Sequence, residues 1–351
     1  MAETKMVIYL SRNALEKVAV CNDIYPNLHA IFKSHAILCV DMTDEELDIA
    51  LADTEGNISQ FCLRNEIETY ALHPYFCSLK EDQSQIVLKS RSMFLLDISS
   101  DEAKELTEKY GIIVQSENCI DDEVFQLSFR RVLEKDTTIP GASHGWRNLF
   151  KELRFPPCNS FVITDNYLFK NVKNGQPVGQ ENLKMLLDAL LPAKLETTFH
   201  LFIVAQKSNR VFNDEKAKEV LVELTNYINE IRSDIKVQLE LVTSHTVHPR
   251  KIISNYFVIV CDKGFQLFHP IRKNEICENN EICATSILYD ASNTSGDTLL
   301  TISAKDIDSI RKVCKECKVL RQQIVNCVDD PTKMIIGDCS EDKTIKNRLI
   351  N

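Results

Sequence analysis

Two α/β layered domains are what this sequence predicts, and three observations carry the expectation. The chain has 351 residues, long for one domain and suited to about two. Apolar runs rich in β-branched residues alternate with helix-patterned segments along most of its length, which is the pattern of layered α/β units. Charge is unevenly divided: residues 1–140 carry about −12 and residues 141–275 about +4, within an overall −10.

The first domain is expected over residues 1–138. It opens with KMVIYL, a buried strand, followed by a helix-patterned SRNALEKVAV. HAILCVDM then gives a second strand and leads into TDEELDIALAD. There Thr43 is placed to cap a helix whose first turn is acidic, as the helix dipole favours. Gly56-Asn57 marks a break. SMFLLDISSDEAKELTEKYGIIVQS repeats the design: an apolar strand ends at Asp97, Ser100 caps a helix starting at Asp101, and Gly111 ends it. The acidity concentrates in Asp41–Asp48. Without clustered Lys and Arg, this unit is a poor partner for nucleic acid. Small nucleases of the PIN type carry a metal-binding Asp at the end of their first strand, but the matching turn here, Leu10-Ser11-Arg12-Asn13, has no carboxylate. Asp41 and Asp97 do follow apolar strands, where turn or cap roles are the common use of Asp.

Asp136-Thr-Thr-Ile-Pro-Gly-Ala-Ser143 is short and polar, and reads as the link to a second α/β domain over residues 139–351. His144-Gly-Trp-Arg-Asn-Leu-Phe begins that domain as a helix, and Pro156-Pro157 stops it. Next come a strand from Asn159, a leucine-rich helix from Glu181 and a buried strand from Thr198. A long amphipathic helix capped by Asn213 follows, then a strand from Ile235. The runs Asn255–Val260 and Phe265–His269 are expected to pair as a terminal β-hairpin turning at Asp262-Lys263-Gly264. NEICENNEIC, from Asn274 to Cys283, is a near-repeat with too few copies for a solenoid, and reads as a surface loop or irregular strand pair. Residues 301–323 read as a helix, and Asp338 opens a polar tail.

Thirteen cysteines stand singly, many inside apolar runs, where they act as small hydrophobes in a reducing compartment. The one C-x-x-C pair, Cys314 and Cys317, lies on the late helix, and a zinc site would need two more ligands from elsewhere, such as Cys327 or Cys339. No apolar run reaches the roughly 18–20 residues of a membrane span, and the first residues lack the basic start and apolar run of a secretion signal. A cytoplasmic protein without metal or cofactor is expected. Nucleotide-loop, zincin and nucleophile-elbow motifs are absent.

The most informative stretch is VTSHTVHPRKIISNYFVIVCDKGFQLFHP, from Val242 to Pro270, which contains H-P-R-K-I-I-S-N. His248, Arg250 and Asn255 stand there at H-x-R-x4-N spacing. This is similar to the H-x-K-x4-D signature of the phospholipase D superfamily. Its continuation resembles the phospholipase-D-like C-terminal domain of MIT-domain proteins: Tyr256-Phe-Val-Ile259, then Lys263-Gly264, then Phe265–Phe268. The resemblance covers about residues 144–270 and implies a phospholipase-D-like second domain that forms homodimers. A phage-defence or mobile-element setting is an expectation of the resemblance alone. In the full signature the histidine attacks phosphorus, a second motif's histidine protonates the leaving oxygen, the lysine holds the phosphate and the Asp orients the imidazole. This chain has one motif, Arg at position 250 and Asn at 255, and no Gly-Ser element after it. Arg250 retains the capacity to bind phosphate, whereas Asn255 cannot balance an imidazolium as a carboxylate would.

The expectation is therefore a degenerate, non-catalytic domain that binds a phosphate-bearing ligand or a protein partner. His248, Arg250 and Asn255 are its motif remnant, and Arg250, Lys251, Lys263 and His245 its candidate ligand contacts. The alternative is a metal-independent nuclease or phosphodiesterase using His248 from each chain of a dimer. A bland reading competes with both, in which His248 caps a turn and Asn255 bonds loop backbone. Membrane-surface binding through Arg250, Lys251 and Lys263 lacks the polybasic run it would need.

Overall fold

The computed structural model describes residues 5–21, 23–71, 82, 84, 86, 91–169, 172–173, 176–206, 214–243, 250–288, 301–312, 334–337 and 345–350. It is an α/β layered structure with two main sheets, as the sequence predicts. The first sheet is wholly parallel. Its strands are β1 (Met6–Ser11), β2 (Ala36–Asp41), β3 (Glu68–Tyr70), β4 (Ser92–Leu96) and β5 (Ile113–Ser116), in the spatial order β3-β2-β1-β4-β5. Helices α1 (Arg12–Val20), α2 (Pro26–His35), α3 (Asp44–Ala52), α4 (Asn57–Arg64) and α5 (Ser100–Tyr110) connect or flank them. Parallel strands need cover on both faces, and β1 accordingly buries Ile8, Tyr9 and Leu10, with Tyr9 stacked on Phe94 at 5.0 Å.

Local chemistry sets the helix ends. Thr43 and Glu46 form a reciprocal capping box on α3. The cap of α5 is Ser99, whose side chain accepts the Glu102 N–H, one residue before the expected Ser100. Gly111 does end α5, in the left-handed region at φ 63°. A Cβ at Gly111 would lie 2.5 Å from the Cys158 carbonyl oxygen, so glycine also lets the two halves of the chain approach.

The second sheet has eight strands: β6 (Ser128–Leu133), β7 (Ser160–Thr164), β10 (Phe199–Ala205), β11 (Val237–Thr243), β12 (Lys251–Ser254), β13 (Phe257–Cys261), β14 (Asn280–Ser286) and β15 (Met334–Gly337), ordered β15-β11-β10-β7-β12-β13-β14-β6. A separate two-stranded pair joins β8 (Val172–Lys173) to β9 (Gln176–Pro177). β7, β10 and β11 run parallel, while β12, β13, β14 and β6 continue antiparallel. One face packs on α6 (Gly145–Phe150), α7 (Val178–Leu190) and α8 (Asp214–Ile231) through Phe161, Ile163, Leu201, Leu239 and fully buried Trp146. The other face buries Val162, Phe202, Val204, Val242 and Ile253. It is covered by a helix over residues 301–312 (α9) and by residues 345–350.

Three expectations need correction. β6, placed before the inter-domain link by sequence, pairs with β14 and so belongs to the second sheet. The hairpin does not turn at Asp262–Gly264: β13 pairs with β12 across Asn255-Tyr256 and with β14 on its other side, which leaves Phe265–His269 outside the sheet except for a Phe268–Ile276 bridge. The second NEIC copy forms an interior strand, with Asn280, Ile282 and Ala284 buried, because β13 and β6 sandwich it. The cap expected at Asn213 and the Cys314–Cys317 pair lie outside the described residues.

The segment read as a polar tail is partly core. Leu349 and Ile350 are buried, each worth about 1.5–3 kcal/mol. Glu240, buried on β11, accepts the Lys346 and Asn347 N–H groups at 2.7 and 3.0 Å. Set against this gain, Ser160 Oγ and His200 Nδ1 are buried without partners, a penalty of roughly 1–3 kcal/mol for each such group.

Burial, and then the charge of Arg348, push the His200 pKa down to about 4, although its imidazole bonds to the Lys346 main chain. A depressed histidine contributes nothing unfavourable above its unfolded value of about 6.5 and destabilises progressively as pH falls toward 4. Lowering pH from 7 to 5 is expected to reduce unfolding free energy by about 2 kcal/mol through this group. Urea titrations of wild type and His200→Gln at both pH values check this, with the variant showing the smaller loss.

Candidate functional site

Arg250 falls where β7 ends and β12 begins. Because β12 runs antiparallel to β7, Lys251 stands opposite Thr164, and Arg250 comes just beyond the carboxyl end of β7. Carboxyl ends of parallel strands are where open α/β sheets place ligands. Arg250 lies 5.2 Å from the centre of the half-exposed Tyr167 ring, in cation–π geometry, and donates to the Asp262 carbonyl. Lys263, next along this turn, is exposed, and its N–H is held by Asn280 Oδ1 at 3.1 Å.

Asp165 organises the seat beneath. Fully buried, it accepts the Tyr167 N–H at 2.8 Å and the Phe265 N–H at 2.9 Å. It thereby ties the turn that carries Tyr167 to the turn that receives Arg250. Burial raises its pKa, against the lowering effect of those two N–H groups and of Arg250. Gly264 closes the second turn at φ 96°, and a Cβ there would meet Asp165 Oδ2 at 2.5 Å; only glycine suits both the dihedral and the space. Gln266 completes the tie by donating to the Tyr167 carbonyl.

Structure separates the candidate residues. Arg250 and Lys263 are brought to one end of the sheet. Lys251 points to α9 and is paired with Asp306 at 2.6 Å, so it is not a free ligand contact. Asn255 is also corrected. It closes the far end of β12, about 16 Å along the strand from Arg250. There Asn255 is fully buried, accepting the Asn159 and Ser160 N–H groups at 3.0 and 3.2 Å and donating to Asn159 Oδ1 at 3.1 Å. An amide spent this way holds β7 to the β12–β13 turn and cannot serve a group at the Arg250 end. His245 and His248 lie outside the described residues.

Tyr167 and Asp165 were not singled out from sequence. Their only signal was the Asp-Asn-Tyr that follows an apolar strand, indistinguishable from an ordinary turn. Chemically, the arrangement offers a guanidinium pre-oriented by an aromatic ring, with a second cation nearby. That suits charge-assisted binding of an oxyanion. Asp165 is too buried and too fully bonded to act as a base there.

Other constellations resolve as structure. His144 caps α6 by accepting the Arg147 N–H, and its Nε2 meets Asp188 at 2.8 Å; burial lowers its pKa more than Asp188 raises it. Trp146, two residues on, is buried and donates to Asn182. At the carboxyl end of the first sheet, Glu117 is held by Ser11 and Asn13. Among the described residues, no three acidic, His or Cys side chains group as a metal site, and no helix is long and apolar enough to cross a membrane. A cleft of about 340 Å³ lies between α5 and the Arg154–Pro157 region, beside the exposed Cys119 thiol. Its Arg154 is paired with Asp121.

No family model matches the chain, and no curated protein matches it either.

Replacing Asn255 by Asp, the residue of the full signature, is expected to destabilise the fold by about 1–3 kcal/mol. A buried carboxylate would face Asn159 Oδ1, and a donor would be lost. Thermal unfolding of wild type and Asn255→Asp measures it; an unchanged or raised Tm would contradict the structural role.

Proposed function

We propose that this chain is a phosphate-ligand-binding protein whose second α/β unit is a non-catalytic, phospholipase-D-like domain. The observation that carries the reading is the seat of Arg250. Its guanidinium rests on Tyr167 and on a neutral carbonyl at a strand's carboxyl end, with exposed Lys263 on the same turn. That combination favours a phosphate oxyanion, because guanidinium geometry matches two oxygens at once. The motif's other half argues for binding without turnover, since Asn255 is committed inside the fold. Cytoplasmic residence belongs to the same proposal, supported by the buried thiols of Cys62, Cys158 and Cys261. Homodimerisation is part of it too, and rests on the resemblance.

The test is isothermal calorimetry with inorganic phosphate and with a short oligonucleotide phosphodiester, at low salt and without metal. Wild type is expected to bind at least one of them, and Arg250→Ala to weaken that binding by about 10- to 100-fold, the range of one charge-assisted contact. Lys263→Ala should weaken it by a smaller factor and flatten the salt dependence. Absence of binding by folded wild type sinks the proposal. Metal-free hydrolysis of a phosphodiester that is lost in His248→Ala would replace it with the dimeric nuclease.

A further inference from the structure

The Glu240 face of the second sheet holds residues 345–350 much as a receptor holds a peptide. None of the six lies in a strand. Glu240 instead accepts two consecutive main-chain N–H groups, those of Lys346 and Asn347. Asn347, fully buried, donates its carboxamide to the Phe161 and His200 carbonyls at 3.1 and 3.3 Å, and accepts the Leu349 N–H at 3.0 Å. Arg348 reaches Thr198 O at 2.6 Å and Thr197 Oγ1 at 2.8 Å. Leu349 and Ile350 then drop among Val162, Phe202, Val204 and Val242, while Arg311 donates to both of their carbonyls. Each successive residue from Asn347 to Ile350 therefore has its own acceptor or apolar slot.

The floor of this seat is incompletely satisfied. Ser160 and His200 are cross-strand neighbours on the same sheet face, and Ser160 Oγ and His200 Nδ1 are buried without partners. Among the described residues Arg348 bonds only to neutral oxygens, and burial lowers its pKa to about 10. Permanent cores satisfy their polar groups. Here departure of the segment would let water reach Ser160 Oγ, His200 Nδ1 and Arg348, which offsets part of the cost of exposing Leu349 and Ile350.

We propose that this face is a peptide-binding groove and that residues 345–350 occupy it in cis as a displaceable ligand. The groove reads asparagine, arginine and two aliphatic residues in succession, and Glu240 recognises the main chain. This assignment is independent of the Arg250 site, which lies at the opposite, carboxyl end of the same parallel strands.

Two measurements on the full chain decide it. First, a fluorescein-labelled peptide of sequence Ile-Lys-Asn-Arg-Leu-Ile is titrated with wild type and with Asn347→Ala, which weakens the cis occupant. Expected is at least tenfold tighter binding to Asn347→Ala, with the gain abolished by adding Glu240→Gln or by changing the peptide's asparagine to alanine. Second, native-state hydrogen exchange of wild type should show the Lys346 and Asn347 amides opening locally, at least tenfold less protected than β10 amides. No peptide binding by folded Asn347→Ala, or exchange of these amides only with global unfolding, overturns the proposal. Should Asn347→Ala fail to fold, the exchange result on wild type stands as the decision.

Discussion

A two-residue turn, Asn255-Tyr256, is the constraint on which the rest of this molecule hangs. Asn255 is buried, and its side chain bonds the main chain at the start of β7, which fixes the antiparallel register of β12 against the parallel trio. Tyr256 is buried too, and its hydroxyl crosses to the first sheet, donating to the Ser92 carbonyl at 2.6 Å and accepting the Ile113 N–H at 3.2 Å. Buried polar bonds of this kind are costly to leave half-made. The pair therefore locks strand register and the meeting of two sheets in a single step. Its place in the H-x-R-x4-N pattern thus has a structural explanation that needs no catalysis.

That constraint shapes the functional reading. With Asn255 holding one end of β12, Arg250 is delivered to the other, beyond the carboxyl end of β7. Asp165 and Gly264 then build the turn that receives it. The seat consists of main-chain bonds to a buried carboxylate, and among the described residues the guanidinium is directed by a ring and a carbonyl rather than by a contacting carboxylate. A rigidly held cation beside an aromatic ring suits recognition better than chemistry, which would need a base and an acid poised on either side of phosphorus.

The opposite side of the sheet poses the inverse problem. Glu240 sits among apolar residues on β11, where a lone carboxylate would be untenable. It is stable because residues 346 and 347 present two N–H groups to it. Ser160 Oγ and His200 Nδ1 on the neighbouring strands lack such partners. One sheet face thus mixes a well-satisfied anchor with poorly satisfied neighbours, a pattern that points to a surface covered by a docked segment rather than to a core packed for good.

How much of this could be read from residues alone follows from the range of each interaction. The capping box of Thr43, the glycine stop at Gly111 and the apolar runs of β1, β7, β10 and β11 depend on neighbours a few positions away, and the sequence by itself determined them. The α/β layering follows from their alternation. The strand ahead of the motif was legible, but not that its Arg and Asn stand at opposite ends of β12, since that depends on β7 as a partner some ninety residues earlier. For the same reason residues 128–133 fall by sequence within the first domain although β6 pairs with β14, and Phe265–His269 are expected in a hairpin they do not form. Glu240 and residues 345–350 read as an alternating strand and a polar tail because each looks soluble until the other covers it. Only the tertiary structure decided these matters: burial and pairing energies arise between segments distant in sequence, and local pattern does not record them.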